Sequence, residues 1–95
     1  MNKAALLQEP ALLRVLWAYL EAWKGAPQPE AERQICYRWV QTQYENRFGG
    51  RFHQTQLKTL EKLGVLTAGW LTGGGRHYLL KEPAEVRNLL AEVMP

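Results

Sequence analysis

The chain has 95 residues, with one cysteine, two histidines and no aspartate. A lone Cys36 excludes an internal disulfide, and with it a four-thiolate zinc site or a CxxC redox pair. It forms no nucleophile constellation either, because no histidine and third orienting group accompany it in the sequence, and its expected role is that of a small core residue. His53, His77 and Cys36 come from three distant segments and make at most a weak three-ligand set, so no metal and no cofactor are expected. No pair of carboxylates is spaced for acid/base work, and the expectation is a protein that is not an enzyme and has no catalytic residues.

Long apolar runs are missing as well. No segment approaches the roughly 18 residues of a membrane span. The opening MNKAALLQEPALL loses its apolar run at Gln8, Glu9 and Pro10, too early for the core of a signal peptide. The expectation is a soluble, cytoplasmic protein with no membrane partner. What the chain does have is enough apolar area for one small core: four tryptophans (Trp17, Trp23, Trp39 and Trp70) and several leucine-rich runs. A chain of this size buries about 60 to 65% of its unfolded surface, which predicts a single domain over residues 1–95.

The net charge is +3, but it is unevenly spread. Between Arg47 and Lys81 there are six basic residues against Glu61 alone, a local charge of +5, whereas the remainder has six basic and eight acidic residues, −2. Basic charge is therefore concentrated in the second half.

Punctuation and periodicity divide the chain into five elements. A short helical turn at residues 3 to 8 precedes Pro10, which suits the first position of a helix because its missing amide proton has no partner there in any case. Helix one then runs to Lys24 with Leu12, Leu16 and Leu20, joined by Leu13, Trp17 and Trp23, as its core stripe, and Gly25 as its stop. GAPQP makes a rigid turn with no strand candidate in it. Pro29, Glu30 and Glu32 open helix two, which is predicted to run to Asn46 with Ile35 and Trp39 buried, Cys36, Val40 and Tyr44 beside them, and Arg33, Arg38, Gln41 and Gln43 outward. FGG at 48 to 50 ends it.

Helix three, residues 53 to 63, places Leu57, Leu60 and Leu63 on one side and Thr55, Lys58, Thr59 and Lys62 on the other. Gly64 stops it. Val65 to Thr72 favours strand, with Leu66, Ala68 and Trp70 expected on one face; Gly73, Gly74 and Gly75 make a tight hairpin, and Arg76 to Leu80 returns. Pro83 to Val93 is a last helix, with Val86, Leu89, Leu90 and Val93 at helical spacing. A two-stranded ribbon is unstable alone, so the hairpin must lie on the helices. The predicted fold is mainly α with a small β-hairpin, in the order α-α-α-β-β-α.

The run Leu57, Leu60, Glu61, Gly64, Val65 and Leu66, written LxxLExxGVL and followed by a glycine-tipped hairpin, resembles the third helix and wing of winged helix-turn-helix DNA-binding proteins. The likeness is to the general pattern of MarR, PadR and ArsR-type regulators, well over residues 53 to 80 and loosely over residues 10 to 80. It implies a small transcriptional regulator binding double-stranded DNA, with helix three in the major groove and the hairpin 65–80 as wing. Carried onto this chain, the DNA-facing positions are Gln54, Thr55, Lys58, Thr59 and Lys62 on the helix and Arg76 and His77 on the wing. Glutamine can pair with adenine edges, threonine offers hydroxyl or methyl contacts, and the cations neutralise phosphates. A homodimer reading two half-sites is the expected working form, with its interface sought at Pro83–Val93 and before Pro10.

Blander alternatives stand beside these. A lysine- and threonine-bearing face opposite a leucine stripe is what any solvated amphipathic helix carries. The glycines at 69 and 73 to 75 lack the GK[ST] ending of a phosphate loop and are turn residues. A winged helix that binds protein, as adaptor or assembly subunit, uses the same fold, and structured RNA engages the same cations. An exposed Trp70 combined with a neutralised helix-three face favours the protein-binding alternative.

Overall fold

A computed structural model of the chain describes residues 1–73 and 75–94. Its elements are α1 (Lys3–Leu7), α2 (Pro10–Lys24), a 3-10 turn (Glu30–Glu32), β1 (Gln34–Cys36), α3 (Tyr37–Phe48), α4 (Thr55–Lys62), β2 (Leu66–Thr72), β3 (Gly75–Leu80) and α5 (Pro83–Val93). Among these residues no helix is long and apolar enough to cross a membrane. The arrangement is mainly helical with a small antiparallel sheet, as predicted: a helix-turn-helix-like pair, α3 and α4, followed by a hairpin, compatible with a winged-helix-type fold.

The core is built around α2. Pro10 opens this helix at its first turn, and Leu12, Leu13, Val15, Leu16, Tyr19 and Trp23 are buried along it. The buried surface covers more of the helix than the predicted stripe, because α1, α3, α4 and α5 all pack on it. Leu57 and Leu60 of α4 and Val86, Leu89 and Leu90 of α5 complete the core. Trp17 is half-buried, with the Arg47 guanidinium 4.5 Å above its ring.

The segment predicted to begin helix two is different. Residues 30 to 32 form a 3-10 turn, Gln34–Cys36 form a strand, and the helix starts only at Tyr37. β1 pairs antiparallel with β3, Ile35 opposite Tyr78 and Cys36 opposite His77, giving a three-stranded sheet in the order β1-β3-β2. Ile35 is buried, but at the position where helical spacing predicted a second core residue, Trp39 is 48% exposed. The physical reason is the change of period: an extended residue pair turns the chain so that Ile35 and Trp39 no longer share a face.

Gln41, predicted to point outward, is buried. Its amide donates to the Gly50 carbonyl (3.1 Å) and its Oε1 accepts from the Phe52 amide (3.2 Å), so it supplies partners to the backbone of the α3–α4 turn. Unpaired buried backbone groups are costly, which explains a glutamine in this place. Gly49 and Gly50, both with φ near +70°, make the turn itself, and Tyr37, Tyr44 and Phe52 stack around it with ring centroids 5.0 to 5.2 Å apart.

Candidate functional site

α4 begins with a reciprocal cap. The Nδ1 of His53 accepts from the Thr55 amide (3.2 Å) and lies 2.9 Å from the Thr55 hydroxyl, while Gln56 Oε1 accepts from the His53 amide (3.2 Å). The pair resembles a capping box set one residue early, since Gln54, which directly precedes α4, makes no side-chain cap of its own. His53 thus marks the helix start, and Gln54, Thr55 and Lys58 are left exposed on the first turns. Thr59 is half-buried, its hydroxyl donating to the Thr55 carbonyl (3.2 Å).

The hairpin approaches the same turns. Its register slips by one residue between Ala68 and Leu71: Ala68 faces Tyr78 and Leu71 faces Arg76, so Gly69 and Trp70 together oppose His77. This is a β-bulge, and it reverses the alternation of side chains beyond it. The expected face of Leu66, Ala68 and Trp70 therefore loses Trp70 and gains Leu71. A Cβ at Gly69 would displace the end of the Gln34 side chain, whose Oε1 reaches from β1 across β3 to accept from the Trp70 amide (3.0 Å). At the hairpin tip Gly75 has φ +106°, as a tight turn needs, whereas Gly73 is not in the left-handed region and Gly74 lies outside the described residues.

Two faces result. The inner one, carrying Ile35, Leu66 and Tyr78 over the core, runs outward into a cleft of about 270 Å³ between hairpin and α4. Gln54, Thr55 and Lys58 line it from the helix, Leu71 and Arg76 from the hairpin, and Tyr37 from below. Arg76 is held in place by a 2.7 Å hydrogen bond from its guanidinium to the Gly69 carbonyl, inside the bulge. Tyr37 is held by donation from its hydroxyl to the Phe52 carbonyl (2.8 Å). The Tyr78 hydroxyl titrates above its ordinary range because of burial, reinforced by Glu61 and opposed by Arg76. Beside the cleft, Arg51 lines a shallower hollow with His53 and Gln54.

The structure thus brings Gln54, Thr55, Lys58 and Arg76 into one cleft. Lys62 is exposed at the far end of α4, outside the cleft lining. His77 lies on the other face of the sheet, with Gln34, Cys36, Arg38, Trp39 and Thr72 around a hollow of about 390 Å³. Neighbouring residues of a strand point to opposite sides, so Arg76 and His77 cannot serve one surface. Sequence reasoning missed Tyr37, which looked like mid-helix, and Leu71, which only the bulge turns inward. Among the described residues no ion pair involves Lys58, Lys62 or Arg76, and Glu61, the one carboxylate of α4, acts on the Tyr78 hydroxyl. Among the described residues no cluster of three or more histidine, cysteine or carboxylate groups is placed to hold a metal ion. Comparison with known protein families, with curated proteins and with solved structures gives no match.

Proposed function

We propose that the chain is a small winged-helix DNA-binding protein, working as a transcriptional regulator and as a two-fold dimer. The observation that carries this is the cleft itself: two cations on different elements, Lys58 and Arg76, converge with Gln54 and Thr55 along one groove wall. Phosphate contacts from such cations position a duplex, and glutamine and threonine at the start of a helix are of the right kind to meet base edges. Leu71, beside Arg76 on the hairpin, adds an apolar contact for sugar edges. Arg51 and Lys62 extend the positive charge along the flank of α4.

The test is fluorescence anisotropy with random duplex DNA across a salt series. Parent protein binds at low salt, and Lys58→Ala, Lys62→Ala and Arg76→Ala each flatten the log-log salt slope by about 0.9 for every phosphate that the substituted cation neutralises. Absence of binding at low salt, or three variants indistinguishable from the parent, overturns the proposal. A protein-interaction role, as adaptor or assembly subunit, is favoured by a separate observation: Trp39 and Trp70 are exposed on the side of the sheet away from the cleft.

A further inference from the structure

We infer that the outer face of the sheet is where a second copy of this chain docks. This deepens the dimeric part of the proposal above, yet it stands on different residues and is read without nucleic acid. Failure of the DNA test leaves it untouched, and its own failure leaves DNA binding by the inner cleft untouched.

The outer face carries two exposed tryptophans about a middle that holds Gln34, Cys36 and His77, with charged residues at its ends. Trp39 and Trp70 are 48% and 62% exposed, and His77 lies between them with its ring 6.4 Å from that of Trp70. Two exposed tryptophans on one small domain are an apolar surface of the kind enriched at protein interfaces. At the start of β1 the 3-10 turn presents the exposed Glu30 and Glu32, with Glu32 and Trp70 lining one hollow of about 390 Å³. Just beyond the end of β1 the exposed Arg38 lines the other hollow beside Trp39. None of Glu30, Glu32 or Arg38 takes part in an ion pair among the described residues.

The face therefore carries negative charge at one end of its strands, where the Arg33 guanidinium is turned onto the Trp23 ring and the Gln28 carbonyl, and positive charge at the other. A two-fold axis parallel to the sheet, crossing over the strands near Gln34 and His77, turns the strands end for end. Arg38 of each copy then faces Glu30 and Glu32 of the other, and the tryptophans close over the middle. Such a self-complementary patch is what an isologous interface requires. A partner of one sign, nucleic acid included, would satisfy one end and be repelled by the other. The stripe of α5 is already used inside the protomer, where Val86, Leu89 and Leu90 are buried; Leu7 and Val93 are the exposed large apolar residues left on α1 and α5. Docking on the outer face leaves the inner cleft open.

The experiment is sedimentation equilibrium of the full chain from micromolar to millimolar concentration, with circular dichroism as the folding control. The parent shows a monomer–dimer equilibrium, and Trp39→Ala with Trp70→Ala weakens it by about tenfold or more while leaving the fold intact, since both side chains are exposed. Arg38→Glu alone, and Glu30→Arg with Glu32→Arg alone, each weaken self-association. Mixing those two charge-reversed variants restores a dimer, because every contact across the axis again joins opposite charges. A parent that stays monomeric throughout, a dimer indifferent to the tryptophan changes, a mixture that fails to associate, or dissociation caused instead by Leu7→Ala with Val93→Ala overturns the inference.

Discussion

The two faces of the sheet are made by the same three strands and yet have opposite physical fates. The inner face begins as core, at Ile35, Leu66 and Tyr78, and becomes a cleft only where the hairpin extends past the helices. The outer face is covered only in part, at Cys36, and it keeps Trp70 in solvent with the exposed Trp39 of α3 beside it. What separates them is one inserted residue in β2. Without the bulge, strict alternation would send Trp70 inward beside Arg76 and Leu71 outward. The bulge reverses that assignment, clearing the cleft for a cation and leaving the aromatic ring on the free side.

The sharpest test of this contrast is to truncate one aromatic residue on each side. Tyr78→Ala removes a ring that is 3% exposed, and a loss of about 3 to 5 kcal/mol is expected in denaturant unfolding. Trp70→Ala is expected to change stability by no more than about 0.5 kcal/mol. Equal losses at the two positions would erase the distinction between the faces. Next in size is Gly69→Ala, which displaces Gln34 and costs the hydrogen bond that ties β1 to the bulge, about 1 to 2 kcal/mol. The nuclear Overhauser pattern of the hairpin should loosen between Ala68 and Leu71 while α2 and α5 are unchanged.

A further test concerns the anchor beneath the inner face. Tyr19, buried on α2, donates its hydroxyl to the Tyr78 carbonyl at 2.6 Å, and Tyr19→Phe is expected to cost about 1 kcal/mol. Burial holds this hydroxyl well above its ordinary value of 10.0. The folded chain keeps a proton that the unfolded chain releases, so stability is unaffected below pH 10.0 and falls as the pH rises beyond it. A titration of stability against alkaline pH should show a shallower fall in Tyr19→Phe than in the parent, and identical slopes would contradict the assignment.

Much of the frame was legible beforehand. α2 and α5 have proline at their first position, α4 has its leucine stripe, and each of these signals acts within one turn of helix, so local sequence suffices. β1 was not legible. Ile35 and Trp39 stand four residues apart, which imitates a helical stripe, and the strand exists because Ile35 pairs with Tyr78 far along the chain. The bulge was hidden for the same reason, since it depends on what Gln34 of β1 places against Gly69. Of the expected site, Gln54, Thr55, Lys58 and Arg76 converge, while His77 faces away; the alternation of a strand was signal enough to separate it from Arg76.

Helices α2, α4 and α5, the hairpin and the cationic face of α4 were thus written into the order of the residues, whereas the start of α3 was not, because capping, periodicity and turn chemistry are short-range. Which face each aromatic residue occupies was settled only when the segments came together. That choice rests on pairing between β1 and β3 and on the register of β2 against β3, and register is fixed by contacts between segments that no local pattern contains.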